Sequence, residues 1–377
     1  MKAKLNRSVS VLGTGSYLPP RIVTNGDLER LCTNYDAEKS GGFTTWVDRV
    51  THIHERRYIE PDQTAAVLAV EASKHALDMA CVRPTELDLI IHASFTPSIA
   101  VPGDHVLVAK ALGADATPSY TLTGACSGSV YGMAMAYGML ASGTMKRILV
   151  TGAETISPTL DYADPLTAII FGDGAGAVVL GTTDDDAGGM LPPDLGFEFN
   201  VENIKQNNAN LPFTSKVVTE GSNGSPTTVQ KEYLRIRGGQ SVLRNAVNIM
   251  ARHTTAVLGY PEAGFRDPDL QEALNRVHVI PHQANGRIVD GVEKKLGIPG
   301  RVTKTIYKTG NISAASNLIA LDYAVRHGNM QTVCDEDGVI LDIKQIPEPL
   351  QKGDLVVLTT IGAGYLSGAI GFVNRIQ

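Results

Sequence analysis

The chain is short of cysteine, of tryptophan and of long apolar runs, and each shortage closes off a class of protein. Its 377 residues include four cysteines, Cys32, Cys81, Cys126 and Cys334. Their spacing gives no CxxC pair and no zinc-ligand set, so neither a disulfide framework nor a zinc module is expected, and no metal or cofactor is called for. No stretch approaches the roughly 18 uninterrupted apolar residues of a membrane span. The segment MKAKLNRSVSVLG is basic but lacks the apolar core of a secretory signal. A soluble, cytoplasmic protein is the expectation. Charge of one sign is lacking too: 33 Lys and Arg stand against 39 Asp and Glu, a net −6. That balance gives no general drive toward nucleic acid or an anionic membrane.

What is present is globular, with 43% hydrophobic and 19% charged residues. Strand-like and helix-like patterns alternate. Val9 to Gly15 reads as a strand, and Thr64 to Cys81 as a helix with apolar residues at helical spacing. A strand over Leu87 to Ala93, a helix over Asp104 to Leu112 and a short strand over Tyr120 to Thr123 follow. An almost wholly apolar helix is expected over Val130 to Ala141, a strand over Arg147 to Thr151, and two short strands within Ala168 to Leu180. Asp184 to about Thr228, rich in Asp, Asn, Gly, Pro and Ser, reads as a long connection. Beyond it come a helix over Gln240 to Leu258, a strand over Val277 to Ile280, a helix from near Gly310 to Arg326, and strands over Leu355 to Ile361 and Gly368 to Val373. This is an α/β pattern with much parallel sheet. Glycine turns after Phe171 and after Ile361 echo one another, which suggests two similar halves, 1–183 and 184–377.

Cys126 lies in Gly124-Ala125-Cys126-Ser127-Gly128, between a strand and the apolar helix. Small neighbours allow a sharp turn there, and unpaired helix N–H groups would stabilise a thiolate, the nucleophile of thioester exchange. A buried structural cysteine is the competing reading, and it is kept for Cys32, Cys81 and Cys334. His282 follows the strand Val277 to Ile280, just beyond the carboxyl end where α/β sheets place ligands. His278, inside the strand, reads as structural. Asn311 looks like a helix N-cap whose amide could instead donate to developing negative charge. Gly172-Asp173-Gly174-Ala175-Gly176 lacks the Lys-Ser/Thr of a phosphate loop and reads as a tight structural turn.

Cys126, Pro281-His282-Gln283-Ala284-Asn285 and Gly310-Asn311-Ile312-Ser313-Ala314-Ala315-Ser316 together resemble a β-ketoacyl-acyl-carrier-protein synthase III, one of the thiolase-like condensing enzymes. The resemblance extends over nearly the whole chain. It implies a thiolase-like, five-layered αβαβα fold of two pseudo-symmetric halves, assembled as a homodimer. It implies a catalytic set of Cys126, His282 and Asn311. Cys126 would accept an acyl group from a thioester; His282 and Asn311 would bind the carbonyl of a malonyl-type extender on acyl carrier protein and promote its decarboxylation. The backbone N–H groups of Cys126 and Ala363 would form the other oxyanion hole; the family's triple glycine reads Gly362-Ala363-Gly364 here.

Departures from the family pattern bear on the donor. The Trp of the coenzyme A clamp is present as Trp46, but its two arginines are replaced by Val50 and Pro165, with Arg49 one place early. Arg287, Arg244 and Asn285 fall where the family contacts its acidic carrier protein, a placement suited to charge complementarity. Val101 stands where some relatives carry an aromatic that reaches across the dimer. Extra length is expected at Gly188 to Thr228 and at Met330 to Lys352. A specialised ketosynthase/cyclase of dialkylresorcinol type is one alternative. Acyl transfer or thioester hydrolysis through Cys126 without condensation is another, and a non-catalytic partner subunit a third.

Overall fold

The computed structural model describes residues 8–36, 41–183, 189–198, 214–220, 226–231, 239–261, 264–335 and 339–376. Two sheets form its framework. The first runs in the order Ser8–Tyr17, Gly174–Thr183, Arg147–Glu154, Leu89–Ala93, Ser119–Leu122. Its first two pairings are antiparallel and its last two parallel. The second runs Asp194–Phe197, Leu366–Val373, Leu355–Ile361, Val277–Pro281. Here too the first two pairings are antiparallel and the next is parallel, and Val302 adds a parallel bridge to Val279 at the outer edge. The same pattern therefore occurs twice, once from residues before 184 and once from residues after it.

Two helices fill the space between the sheets. Gly128–Ala141 and Ser316–His327 share one apolar cluster in which Val130, Met133, Leu318 and Leu321 meet Val150 and Val178 of the first sheet and Leu358 and Ile370 of the second. An apolar helix with a sheet on either side needs no polar face, which is why its sequence lacks helical periodicity. The outer face of the first sheet is covered by Ala65–Ala80. That helix lies so close that a Cβ on Gly15 would stand 2.2 Å from the Ala72 carbonyl oxygen, which explains its alanines and the facing glycine. Gly239–Val257 and Gly286–Leu296 cover the second sheet.

Three expectations are corrected. The stretch Ala168 to Leu180 holds no pair of short strands. A helical turn, Pro165–Ala168, leads through the glycine turn into one long strand, Gly174–Thr183, because the whole apolar run is needed as a central strand. The connection from Asp184 is not structureless throughout. Asp194–Phe197 edges the second sheet, and Thr214–Glu220 pairs antiparallel with Pro226–Lys231; residues 184–188, 199–213 and 221–225 of that stretch lie outside the described residues. Within the other expected extra segment, Asn329–Cys334 and Ile340–Ile346 form a hairpin. Finally, no helix begins at Asn311: Ser313–Ala315 is a 3-10 turn and the helix starts at Ser316. Among the described residues no helix is long and apolar enough to cross a membrane.

Candidate active site

Cys126 sits in a 3-10 turn, Ala125–Ser127, between the edge strand Ser119–Leu122 and the central helix. Ala125 enters that turn at φ 45°, a left-handed conformation uncommon outside glycine. Neighbouring glycines make room: a Cβ on Gly124 would lie 3.0 Å from the Gly128 Cα. The thiol keeps some exposure yet is surrounded by protein, and burial pushes it up to about 11. The Ser313 hydroxyl opposes that shift, the Glu154 charge adds to it, and the residue's own N–H opposes it again. Ser313 acts as a nearby dipole, since no hydrogen bond of proper geometry joins its Oγ to the sulfur. The expected resting thiolate is thus corrected to a thiol, because desolvation outweighs the helix terminus.

His282 lies one residue beyond the strand Val277–Pro281 and is 1% exposed. Its N–H donates to the Thr359 carbonyl at 2.8 Å, fixing it at the ends of the two parallel strands. Gln283 locks the following backbone, with Nε2 donating to the carbonyls of Pro281 and Thr303 and Oε1 accepting from Thr305 and Ile306. Asn317 Nδ2 ties the Ile280 and Thr359 carbonyls together at 2.9 and 3.2 Å. Neither ring nitrogen of His282 has a hydrogen-bond partner among the described residues, and burial pushes the imidazole down to about 3, so it is neutral. Leaving buried polar atoms unpaired costs about 1–3 kcal/mol each. His278, by contrast, is paired with Thr303 Oγ1 at 2.7 Å, as its structural reading requires.

Asn311 is held by the first half of the chain. Its N–H donates to the Ile170 carbonyl at 2.9 Å and its carbonyl accepts from Gly172 N–H at 3.0 Å. The glycine turn read as structural is therefore the clamp of a site residue. A Cβ on Gly172 would stand 2.3 Å from the Thr309 carbonyl oxygen. Asn311 Oδ1 accepts from Ser313 N–H at 2.8 Å, so the amide has a fixed flip, while Nδ2 makes one long contact of 3.4 Å to the Ala284 carbonyl.

The closing glycine turn completes the constellation. Gly362 N–H donates to Leu366 and Tyr365 N–H to Gly362, and neither bond uses the Ala363 N–H. A Cβ on Gly362 would lie 3.1 Å from the Ser127 nitrogen and 3.3 Å from the Cys126 nitrogen, so only glycine brings this turn against the cysteine amides. Thr360 Oγ1 donates to the Cys126 carbonyl at 3.3 Å.

Trp46 packs against Tyr35 with the rings tilted and against Phe43 edge to face, Pro165 opens a helical turn, and Val50 offers its carbonyl to Asn285 Nδ2 at 3.2 Å. Arg49 is exposed. Asn285 also caps its helix, accepting from Arg287 N–H at 2.9 Å, so both ends of its amide are engaged within the protein and its place among the carrier contacts is that of a positioning residue. Arg244 and Arg287 are exposed on the two helices that cover the second sheet. Lys294 and Lys295 follow Arg287 on the same helix, and sequence reading passed over them although the i+7 and i+8 spacing was legible. It also passed over Gln283, Asn317 and Ser313, which lie in or beside the quoted motifs. Val101 is 88% exposed, while its neighbours Ala100 and Pro102 line a cavity of about 530 Å³ with Phe95, Ile99, Tyr120 and Thr123.

Comparison with known proteins agrees with this arrangement. Residues 120–197 match the model of 3-oxoacyl-[acyl-carrier-protein] synthase III, and residues 275–334 match its C-terminal model. A β-ketoacyl-[acyl-carrier-protein] synthase III of Desulfitobacterium hafniense is 35% identical over 96% of each chain. The crystal structure of the 3-oxoacyl-[acyl-carrier-protein] synthase III of Aquifex aeolicus superposes with a TM-score of 0.74 at 31% identity, over 98% of this chain and 100% of that one. A priming β-ketosynthase of a polyketide pathway superposes with a TM-score of 0.76 at 27% identity, over 100% and 99%. Two sheets of matching topology around two central helices, together with this likeness along the full length, place the chain in the 3-oxoacyl-acyl-carrier-protein synthase III family of thiolase-like enzymes.

Proposed function

We propose that this enzyme catalyses decarboxylative Claisen condensation of an acyl thioester primer with a malonyl- or β-ketoacyl-type extender on acyl carrier protein. Cys126 Sγ attacks the primer carbonyl, and the N–H groups of Cys126 and Ala363 hold the developing oxyanion. The donor thiol departs with the proton. His282 and Asn311 then donate hydrogen bonds to the extender's thioester carbonyl, which stabilise the enolate formed as carbon dioxide leaves. That carbanion attacks the acyl group on Cys126. The observation that carries this reading is the neutral, fully buried His282 with both ring nitrogens unpartnered. A protein that only transferred or hydrolysed acyl groups would have no use for that ring beside the clamped Asn311. The test is radiolabelled carbon dioxide release from malonyl-acyl carrier protein, which His282→Ala should suppress and Cys126 acylation should survive.

The primer arrives on carrier protein in this reading, since Val50 and Pro165 supply no guanidinium for coenzyme A. Arg244, Arg287, Lys294 and Lys295 form the basic face for that acidic partner. The same missing arginines favour the ketosynthase/cyclase variant, in which both substrates ride on carriers; a cyclised product from two carrier-bound acyl groups would distinguish it. The homodimer would form along Ser119–Leu122, an edge strand flanked by exposed Val101, Leu107 and Met135. Val101 would then reach the partner's acyl cavity. The two halves divide at 183/184, and the enzyme works in the cytoplasm.

A further inference from the structure

Two buried polar groups beside Cys126 have no part in the reaction just described. Glu154 is accounted for: Oε2 accepts from Ser94 Oγ, Thr96 Oγ1 and the N–H groups of Phe95 and Thr96, at 2.6 to 3.2 Å. It ties adjacent strand ends together. Ser313 is not accounted for. It is 1% exposed, and its Oγ has no hydrogen-bond partner among the described residues. Its backbone is fixed by the bond from its N–H to Asn311 Oδ1 and by a left-handed φ of 46°. Its hydroxyl lowers the cost of charging the Cys126 sulfur.

The position has a structural origin. The turn Ser313–Ala315 precedes the second central helix as Ala125–Ser127 precedes the first, and their left-handed residues match, Ala125 at 45° and Ser313 at 46°. The two turns pack across the seam between the halves, where a Cβ on Gly128 would lie 3.5 Å from the Ala314 Cβ. One turn carries the sulfur and the other brings a hydroxyl to it.

We propose that Ser313 is a further catalytic residue: its Oγ–H donates a hydrogen bond to the Cys126 sulfur once that sulfur is charged, and so enlarges the thiolate population that meets the acyl donor. This rests on Cys126 being the nucleophile. Ser313 keeps its own proton throughout. In acylation the Cys126 S–C bond forms, the donor's C–S bond breaks, and the proton lost by Cys126 ends on the departing thiol. Asn311 is untouched by loss of the hydroxyl, because it bonds Ser313 through the main chain.

The experiment is the pH dependence of Cys126 alkylation by iodoacetamide, read on the Cys126 peptide by mass spectrometry from pH 7 to about 10.5, on the rising limb below the buried thiol's titration, where the rate follows the thiolate fraction. Ser313→Ala should move the profile to higher pH by about one to two units, the effect of one hydrogen bond to a charged group. Ser313→Gly suits the left-handed backbone and should shift it likewise, so a folding defect in one variant does not hide the result. Glu154→Gln, which removes the one charged group acting on the thiol, should shift the profile the other way. Profiles of both Ser313 variants that overlay the wild type would overturn the proposal. Alkylation reads the sulfur without any substrate. A wild-type chain that shows the Ser313 effect but takes no acyl group from any donor would instead overturn the functional reading.

Discussion

Ala125 and Ser313 occupy the same backbone state, at φ 45° and 46°, in the turns that open the two central helices. Neither is glycine, so each turn carries strain that the surrounding packing must hold. The frame is symmetric but the chemistry is not. After Ala125 comes the sulfur of Cys126; after Ser313 comes Ala314, and the polar groups are instead Asn311 before the turn and Ser313 within it. In the proposed reaction a nucleophile from one half therefore meets electrostatic donors from the other.

The donors should be separable from the nucleophile. His282→Ala or Asn311→Ala is expected to leave Cys126 acylation within a few-fold of wild type and to slow decarboxylation by about 10²–10³, the usual loss for one oxyanion donor. Single-turnover acylation and carbon dioxide release, measured on the same preparations, check this. Equal loss of both steps would place the two residues elsewhere in the reaction.

Gly172 tests the clamp on Asn311 without touching a catalytic group. Gly172→Ala puts a Cβ 2.3 Å from a carbonyl oxygen, so the turn must move and Asn311 with it. Condensation should fall at least tenfold with acylation spared, and stability should drop by about 1–3 kcal/mol. Normal condensation in a destabilised variant would show that Asn311 does not depend on this turn.

Acid stability follows from the buried histidines. Burial holds His92 and His278 at about 4 and His282 at about 3, against an ordinary value of 6.5. At pH 7 both folded and unfolded chains carry these rings mostly neutral, so nothing is lost. Below 6.5 the unfolded chain takes up protons that the native chain refuses until near pH 4, so stability falls with acid over that window. Each ring contributes a slope approaching about 1.4 kcal/mol per pH unit. His92→Gln, which removes no group of the proposed chemistry, should flatten the loss by one ring's share in urea titrations between pH 4.5 and 7; an unchanged slope would mean that the ring is protonated in the native protein.

Carrier preference is a matter of charge and of missing charge. Acyl-carrier-protein donors should acylate Cys126 at least tenfold better than matched coenzyme A esters, with raised salt eroding the advantage as screening shortens the reach of rim charges. Arg287→Glu should erode it as well. Comparable kcat/KM for both donors, indifferent to Arg287→Glu, would refute the carrier reading and point to Arg49 as a substitute clamp.

Much of this was legible in the sequence because the elements concerned are long and uniformly buried. The helix expected from Thr64 to Cys81 is Ala65–Ala80 with those two residues as its caps, and Asp104–Leu112 and Leu355–Ile361 fall at the expected bounds. Asn311 misled because an asparagine before small residues looks like a cap. Its cross-chain bonds to Ile170 and Gly172 draw it into extended backbone, and no local pattern records a contact between residues so far apart in sequence. The thiol misled for a similar reason: helix position is readable locally, whereas desolvation depends on what both halves pack around Cys126. Ser313 was visible in its motif, but its meaning lies in a left-handed φ and an unpaired hydroxyl, both tertiary properties.

In the proposed reaction Cys126 carries the acyl group and the other half of the chain supplies the decarboxylation donors. Intact-mass analysis after incubation with acyl-carrier-protein donors tests it most directly. A single acyl adduct is expected on wild type and on Asn311→Ala, chased by malonyl-acyl carrier protein from wild type alone, and no adduct on Cys126→Ala. An acyl adduct of equal extent on Cys126→Ala, or a rapid chase from Asn311→Ala, would contradict it.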